Sequence, residues 1–195
     1  MTRNRKYALR LASACLLALA VICAASAGWV HAKAALAQVL MQHAWSRSQQ
    51  QHERIKPWPW ADVAPVAELE LPRLGKRYIV LDNDSGQALA FGPGWTPSSA
   101  PLGKRGLSVV SAHRDTQFRA LARLHEGDVV RVATAYGQRD YRIDSLRIVD
   151  STRTRLGDAN SADALLLVTC YPFEAIVPGG PLRYVAEAVP LTPAI

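Results

Sequence analysis

The sequence predicts a mainly β domain that closes, or nearly closes, into a single barrel behind an apolar N-terminal helix. Three observations predict it. Leu11–Val30 runs twenty residues without a charge. From Ala67 onward short β-rich runs recur between turn signals, the pattern of closed all-β architecture. Only one short segment among those runs, Thr116–His125, reads as helix.

Taken in order, the chain opens with "MTRNRKYALR", which carries Arg3, Arg5, Lys6 and Arg10 and no acid. The uncharged run behind it would span about 30 Å as a helix, enough to cross a bilayer core. Basic residues ahead of such a span keep the N-terminus cytoplasmic and send the remainder across. "ASAG" at Ala25–Gly28 would also suit cleavage of a removable signal. The run is long for a signal, and an uncleaved anchor is the preferred reading. A lipid-bearing cysteine at Cys15 is disfavoured by Ala12 and by the shortness of the apolar stretch before it. Cys15 and Cys23 read as small apolar filler of the span.

His31–Ile55 is rich in Ala, Leu and Gln, free of Gly and Pro, and carries Leu36, Val39, Leu40 and Trp45 at near-helical spacing. His43 and His52 on it read as solvated. "KPWPWADV" then breaks the helix, with Trp58 and Trp60 either at a membrane interface or clamped on the domain. The expected organisation is therefore residues 1–30 as basic tip and membrane anchor, 31–60 as helical linker, and 61–195 as barrel. Within the barrel, "AELELPRL", "RYIVLDN", "LSVVSAH", "LLLVTC" and "LRYVAEAVPL" read as strands, and "VVRVAT" with "DYRIDSLRIV" reads as a hairpin about "AYGQRD".

Charge divides the chain the same way. Residues 1–60 hold eight Lys and Arg against the single acid Glu53, which is the whole formal charge of +7. The remaining fifteen bases and fifteen acids cancel, so the pI near 9.7 reports the membrane flank and argues against nucleic-acid binding. His113 and Asp115 alone are too few ligands for a metal, and no cofactor is expected.

Cys170 is the one cysteine beyond the span, so it has no partner within the exported part. It ends the apolar run "ALLLVT", and Pro172 stops the strand. A thiol at a strand end is held rigidly and is open on one side. To react it needs a base or cation nearby. His113 also ends an apolar strand, 57 residues earlier, and two strand ends can meet at one barrel rim. Arg183 lies on the strand that returns after Cys170. His125, in the polar turn "LHEGD", reads as solvated. These residues alone leave a thiol enzyme and an inert strand-end cysteine both open.

At these three places together the sequence resembles the sortases. "LLVTC" (166–170) stands where they carry Thr-Leu-x-Thr-Cys, with Leu166 in place of the first threonine. "VVSAHRD" stands at their histidine strand, and Arg183 at the arginine of the strand after the cysteine. "KPWPWAD", "ALAFGPG", "HRDT" and "VTCYPFEAIVPGGPLRYV" are closest to the sortases of Gram-negative bacteria, class GN. Ala112 replaces a usual glycine, Gln117 a common second histidine, and Leu107 a frequent asparagine; no catalytic group is lost.

The resemblance implies an eight-stranded barrel with one or two short helices and the catalytic set His113, Cys170 and Arg183. It implies a cysteine transpeptidase acting through a thioester on a Leu-Pro-x-Thr-Gly-type signal. Its partners would be an exported surface-protein precursor and an amine-bearing acceptor, met at the periplasmic side of the inner membrane. Thr169 would face away from Cys170 by strand alternation. Papain-like hydrolases place Cys before His, and the L,D-transpeptidases carry Gly-Cys-x-Arg; neither fits this order. A membrane-anchored β-domain that only binds a partner is the remaining alternative.

Overall fold

The computed structural model describes residues 3–154, 163–175 and 179–194, in two compact units divided between Val39 and Leu40. The first unit belongs to a single helix, α1 (Arg3–Gln51), which takes in both the apolar run and the Ala-rich segment after it. Leu11, Leu16, Leu17, Val21, Ile22 and Trp29 are all exposed along it. Among the described residues this helix is long and apolar enough to cross a membrane. Cys15 and Cys23 are exposed on that stretch.

In the second unit α1 stops at Gln51, four residues short of the expected Ile55 and well before Pro57. The cause is local. His52 adopts a left-handed φ of 54°, the conformation that ends helices, and the Ile55 amide turns back to donate to Ser48 Oγ at 3.1 Å. The Tyr136 hydroxyl donates to the His52 carbonyl, and Arg54 pairs with Asp82. Trp58 then meets Phe91 edge-on, 5.7 Å between ring centroids, beside the buried Met41, Val63 and Leu81. Trp60 is exposed. Of the two tryptophans, only the first clamps the chain onto the domain.

Eight strands follow: β1 Pro65–Leu71, β2 Lys76–Leu81, β3 Gly94–Trp95, β4 Leu107–Ser111, β5 Val129–Thr134, β6 Gly137–Asp150, β7 Ala164–Cys170 and β8 Leu182–Pro190. They close in the order β1-β2-β3-β4-β7-β8-β6-β5, so the barrel presents no open edge. Two pairings are parallel, β2 with β3 and β4 with β7. The expected helix at Thr116–His125 is a 3₁₀ helix, Gln117–Arg123, whose Phe118 and Leu121 are buried in the core. A four-residue helix, α2 (Gly86–Leu89), stands between β2 and β3; Ser85 Oγ caps it by accepting from the Ala88 amide.

Alternation along each strand sorts the side chains. Leu69, Val80, Val110, Val132, Ile143, Leu165, Leu167, Ala186 and Ala188 fill the interior. A second apolar cluster lies on the other face of the wall: Val109 of β4, Leu166 and Val168 of β7, and Val185 of β8. The strand β7 is thus buried on both faces, which is why its sequence is a continuous apolar run instead of an alternating one.

β3 is hidden inside "FGPGW". Its two residues join β2 to β4, and Gly94 makes the junction sterically feasible. A Cβ there would lie 2.2 Å from the Asn83 carbonyl oxygen and 2.7 Å from Asp84 Cα, both backbone atoms. Gly94→Ala is expected to lower unfolding free energy by about 3 kcal/mol, measured by urea denaturation, as overpacking against backbone does.

Candidate active site

The parallel pairing of β4 with β7 places both C-terminal strand ends at one rim. The register runs from Leu107 opposite Ala164 to Ser111 opposite Val168. His113 follows β4 by two residues and is exposed; Cys170 is the last residue of β7 and is half-buried. β8 returns antiparallel to β7 and sets Arg183 directly opposite Cys170. Opposed residues in such a pair share a face, with Cβ atoms about 5 Å apart. Cys170 also shares its face with Leu166 and Val168, and Arg183 shares its own with Val185. The thiol therefore stands at the end of the outer apolar cluster. The structure brings Cys170 and Arg183 side by side, and His113 to the same rim.

Arg183 Nη1 donates to the Gly180 and Leu182 carbonyls at 2.6 and 2.9 Å. Those bonds use two of the five guanidinium N–H donors and orient the group from the loop that precedes β8. Val177 and Pro178 of the "VPGGP" motif lie outside the described residues.

Thr169 points inward, as alternation requires, and is buried. Its Oγ1 donates to the Ala112 carbonyl at 2.8 Å, and the Ala112 amide donates to the Val168 carbonyl at 3.2 Å. The residue before the thiol thus holds the residue before the imidazole. Thr169→Val keeps the shape and removes the donor. Unfolding free energy is expected to fall by about 1–2 kcal/mol in thermal or urea melts, the cost of leaving a buried carbonyl unpaired.

The residue after the imidazole is also fixed. Arg114 is buried, and its guanidinium donates to Pro172 and Ala175 carbonyls, both just beyond Cys170. It also pairs with the exposed Asp115, Nε to Oδ1 at 2.9 Å. The hydrogen bond from Arg114 holds the Asp115 carboxyl below the usual carboxylate range, and the same bond raises Arg114. The thiol and Glu174 lie close enough to add to that electrostatic balance. The sequence places Arg114 in "HRDT" without a role, because its partners are backbone carbonyls and carry no residue signature.

His125 is exposed in its turn. Among the described residues no group of three or more His, Cys, Asp or Glu could hold a metal. A cavity of about 240 Å³ lined by Trp45, Pro65, Trp95 and Tyr136 lies by the β5–β6 turn, at the far end of β6 from Val149, which pairs with Arg183. It holds no thiol and is not the candidate site.

A closed barrel with a thiol and basic groups gathered at one rim fits a β-barrel cysteine enzyme. The chain belongs to the sortase family: the family model for the Sortase domain matches residues 69–191. Sortases are cysteine transpeptidases. Sortase D of Bacillus subtilis (strain 168) is 33% identical over 118 residues, 60% of this chain and 59% of that protein, so the match spans less than two thirds of the relative's length. Among solved structures, a Clostridium perfringens Sortase D5 transpeptidase superposes with a TM-score of 0.66 at 16% identity, covering 81% of this chain and 99% of that one. Sortase A from Corynebacterium diphtheriae gives 0.60 at 18% identity, over 81% and 83% of the two chains.

Proposed function

We propose that this chain is a membrane-anchored sortase of the Gram-negative class GN, with Cys170 as nucleophile, His113 as general acid and base, and Arg183 as oxyanion donor. One observation carries the reading. The strand-end thiol stands in register with Arg183 at the rim where the His113 strand also ends.

The Cys170 thiolate attacks the threonine carbonyl of a Leu-Pro-x-Thr-Gly-type signal. Arg183 donates to the developing oxyanion through N–H groups other than the two that bind Gly180 and Leu182. The threonine–glycine C–N bond breaks, His113 gives its proton to the leaving amine, and a thioester on Cys170 remains. An acceptor amine then loses a proton to His113, attacks the thioester and frees the thiol. Leu166, Val168 and Val185 form the buried outer cluster behind Cys170 and hold the end of its strand firm.

Residues 1–30 serve as cytoplasmic tip and span, 31–60 as linker, and 61–195 as catalytic barrel on the periplasmic side of the inner membrane. The partners are an exported surface-protein precursor bearing the signal and an amine-bearing acceptor. The test is intact mass spectrometry of the full chain in detergent with a Leu-Pro-x-Thr-Gly peptide, the Cys170→Ala protein serving as blank. An adduct on Cys170 with release of the glycine fragment is expected. Alkylation of Cys170 without an adduct would reject this signal, and a thiol inert to both would reject the enzyme.

A further inference from the structure

Two crosslinks bracket the candidate pair. Upstream of both residues, Thr169 holds Ala112. Downstream of both, Arg114 holds the turn that follows Cys170, with Nη1 to the Pro172 carbonyl at 2.6 Å and Nη2 to the Ala175 carbonyl at 2.9 Å. Asp115 takes Nε at 2.9 Å and Nη2 at 3.4 Å, which fixes the plane of the guanidinium. The turn is also held by Phe173, which stacks edge-on against Tyr184 at 5.0 Å and Tyr171 at 6.1 Å.

The barrel itself closes through strand ladders that do not involve Arg114. What Arg114 joins is narrower: the first residue past His113 to the second and fifth residues past Cys170. Its bonds end on main-chain carbonyls and a neighbouring carboxylate, so it has the contacts of a support and not those of a group that touches substrate. These four bonds leave from three nitrogens spread over a planar fork, whereas an ammonium carries three donors on one nitrogen and cannot reproduce them all.

We propose that Arg114 is a positioning residue for acyl transfer, a clamp that keeps the thiol-bearing and imidazole-bearing segments in mutual register. The proposal rests on the reading of Cys170 and His113 as the reacting pair. Displacing reacting groups by about 1 Å costs on the order of 10²-fold in rate. Arg114→Met keeps most of the apolar stem and removes the fork. Arg114→Lys keeps the charge and loses the second carbonyl bond.

The experiment is steady-state transfer kinetics of the full chain in detergent, using a Leu-Pro-x-Thr-Gly peptide and triglycine as acceptor, with thermal unfolding on the same samples. Expected for Arg114→Met is a kcat about 10²-fold below wild type with peptide KM within about threefold, since no substrate contact is lost. Arg114→Lys is expected to recover part of that loss, remaining about tenfold below wild type with a cooperative melt near that of wild type. If Arg114→Met does not fold, Arg114→Lys decides on its own.

A folded variant of either kind with wild-type kcat overturns the clamp. So does loss of cooperative melting in both variants, which would make the arginine a support of the fold alone. Failure of the underlying reading looks different: the wild-type chain itself forms no adduct with the peptide, and iodoacetamide leaves Cys170 unmodified.

Discussion

Cys170→Ala is expected to reduce peptide transfer by about 10⁵-fold while leaving the fold intact, as losing the nucleophile does in enzymes that work by covalent transfer. The thiol is half-buried at the last position of β7, where the strand ladder is already complete. Removing one sulfur there is expected to change unfolding free energy by less than about 1 kcal/mol, so lost activity would not reflect lost structure. His113→Ala is expected to cost about 10³-fold, the scale of general acid–base catalysis. The double variant is expected to be no worse than Cys170→Ala alone, because residues that act as a unit do not add. Stopped time courses with the Leu-Pro-x-Thr-Gly peptide, read by mass, measure all three. If the double variant were further impaired by the full His113 factor, the two side chains would be acting independently.

A large effect on stability is expected at Arg139, near the start of β6. Its side chain is 2% exposed. It donates to both Asp163 carboxylate oxygens at 2.9 and 2.6 Å, to the Lys104 carbonyl at 2.8 Å and to the Thr192 carbonyl at 3.3 Å, and it lies over the Tyr141 ring. One guanidinium thus ties together four segments: β6, the loop before β4, the lead into β7 and the chain after β8. Arg139→Met strands a carboxylate and two carbonyls. The cost is set at about 3 kcal/mol, the low end for breaking a buried pair, since Asp163 retains partial exposure. Thermal unfolding should shift down by about 10 °C.

The same pair predicts a pH signature. The hydrogen bond from Arg139 holds the Asp163 carboxyl below its usual range. A depressed folded-state value stabilises the fold above the unfolded value, near 4, and that contribution is lost as pH falls through the folded value. The gap between wild type and Arg139→Met should therefore stay constant from neutral pH down to about 5 and narrow below about 4. Urea melts along that range measure it. A gap that widened in acid would mean that Asp163 is not the partner responsible.

Much of this was legible in the residues. The apolar run of β7, the alternation of β5 and β6, and the thiol and imidazole at strand ends were readable because each is a local pattern. β3 was not, since two residues within a Gly-Pro-Gly turn cannot show a period. The early end of α1 was not, because His52 is no usual helix stop and takes its left-handed form where Ser48 and Tyr136 engage the backbone around it. Arg114 stood in plain view within "HRDT", but its carbonyl partners are set by where the chain returns 58 residues later.

The parallel pairing of β4 with β7 also governs timing. Contacts between segments 57 residues apart must meet their loop-closure cost before the pairing rewards it, which slows their formation. A chain made from its N-terminus presents the β4 end and His113 first and the β7 end and Cys170 57 residues later, and neither has the other until the two strands pair. On the proposed reading of Cys170 and His113, strand order alone defers assembly of the reacting pair to the finished fold.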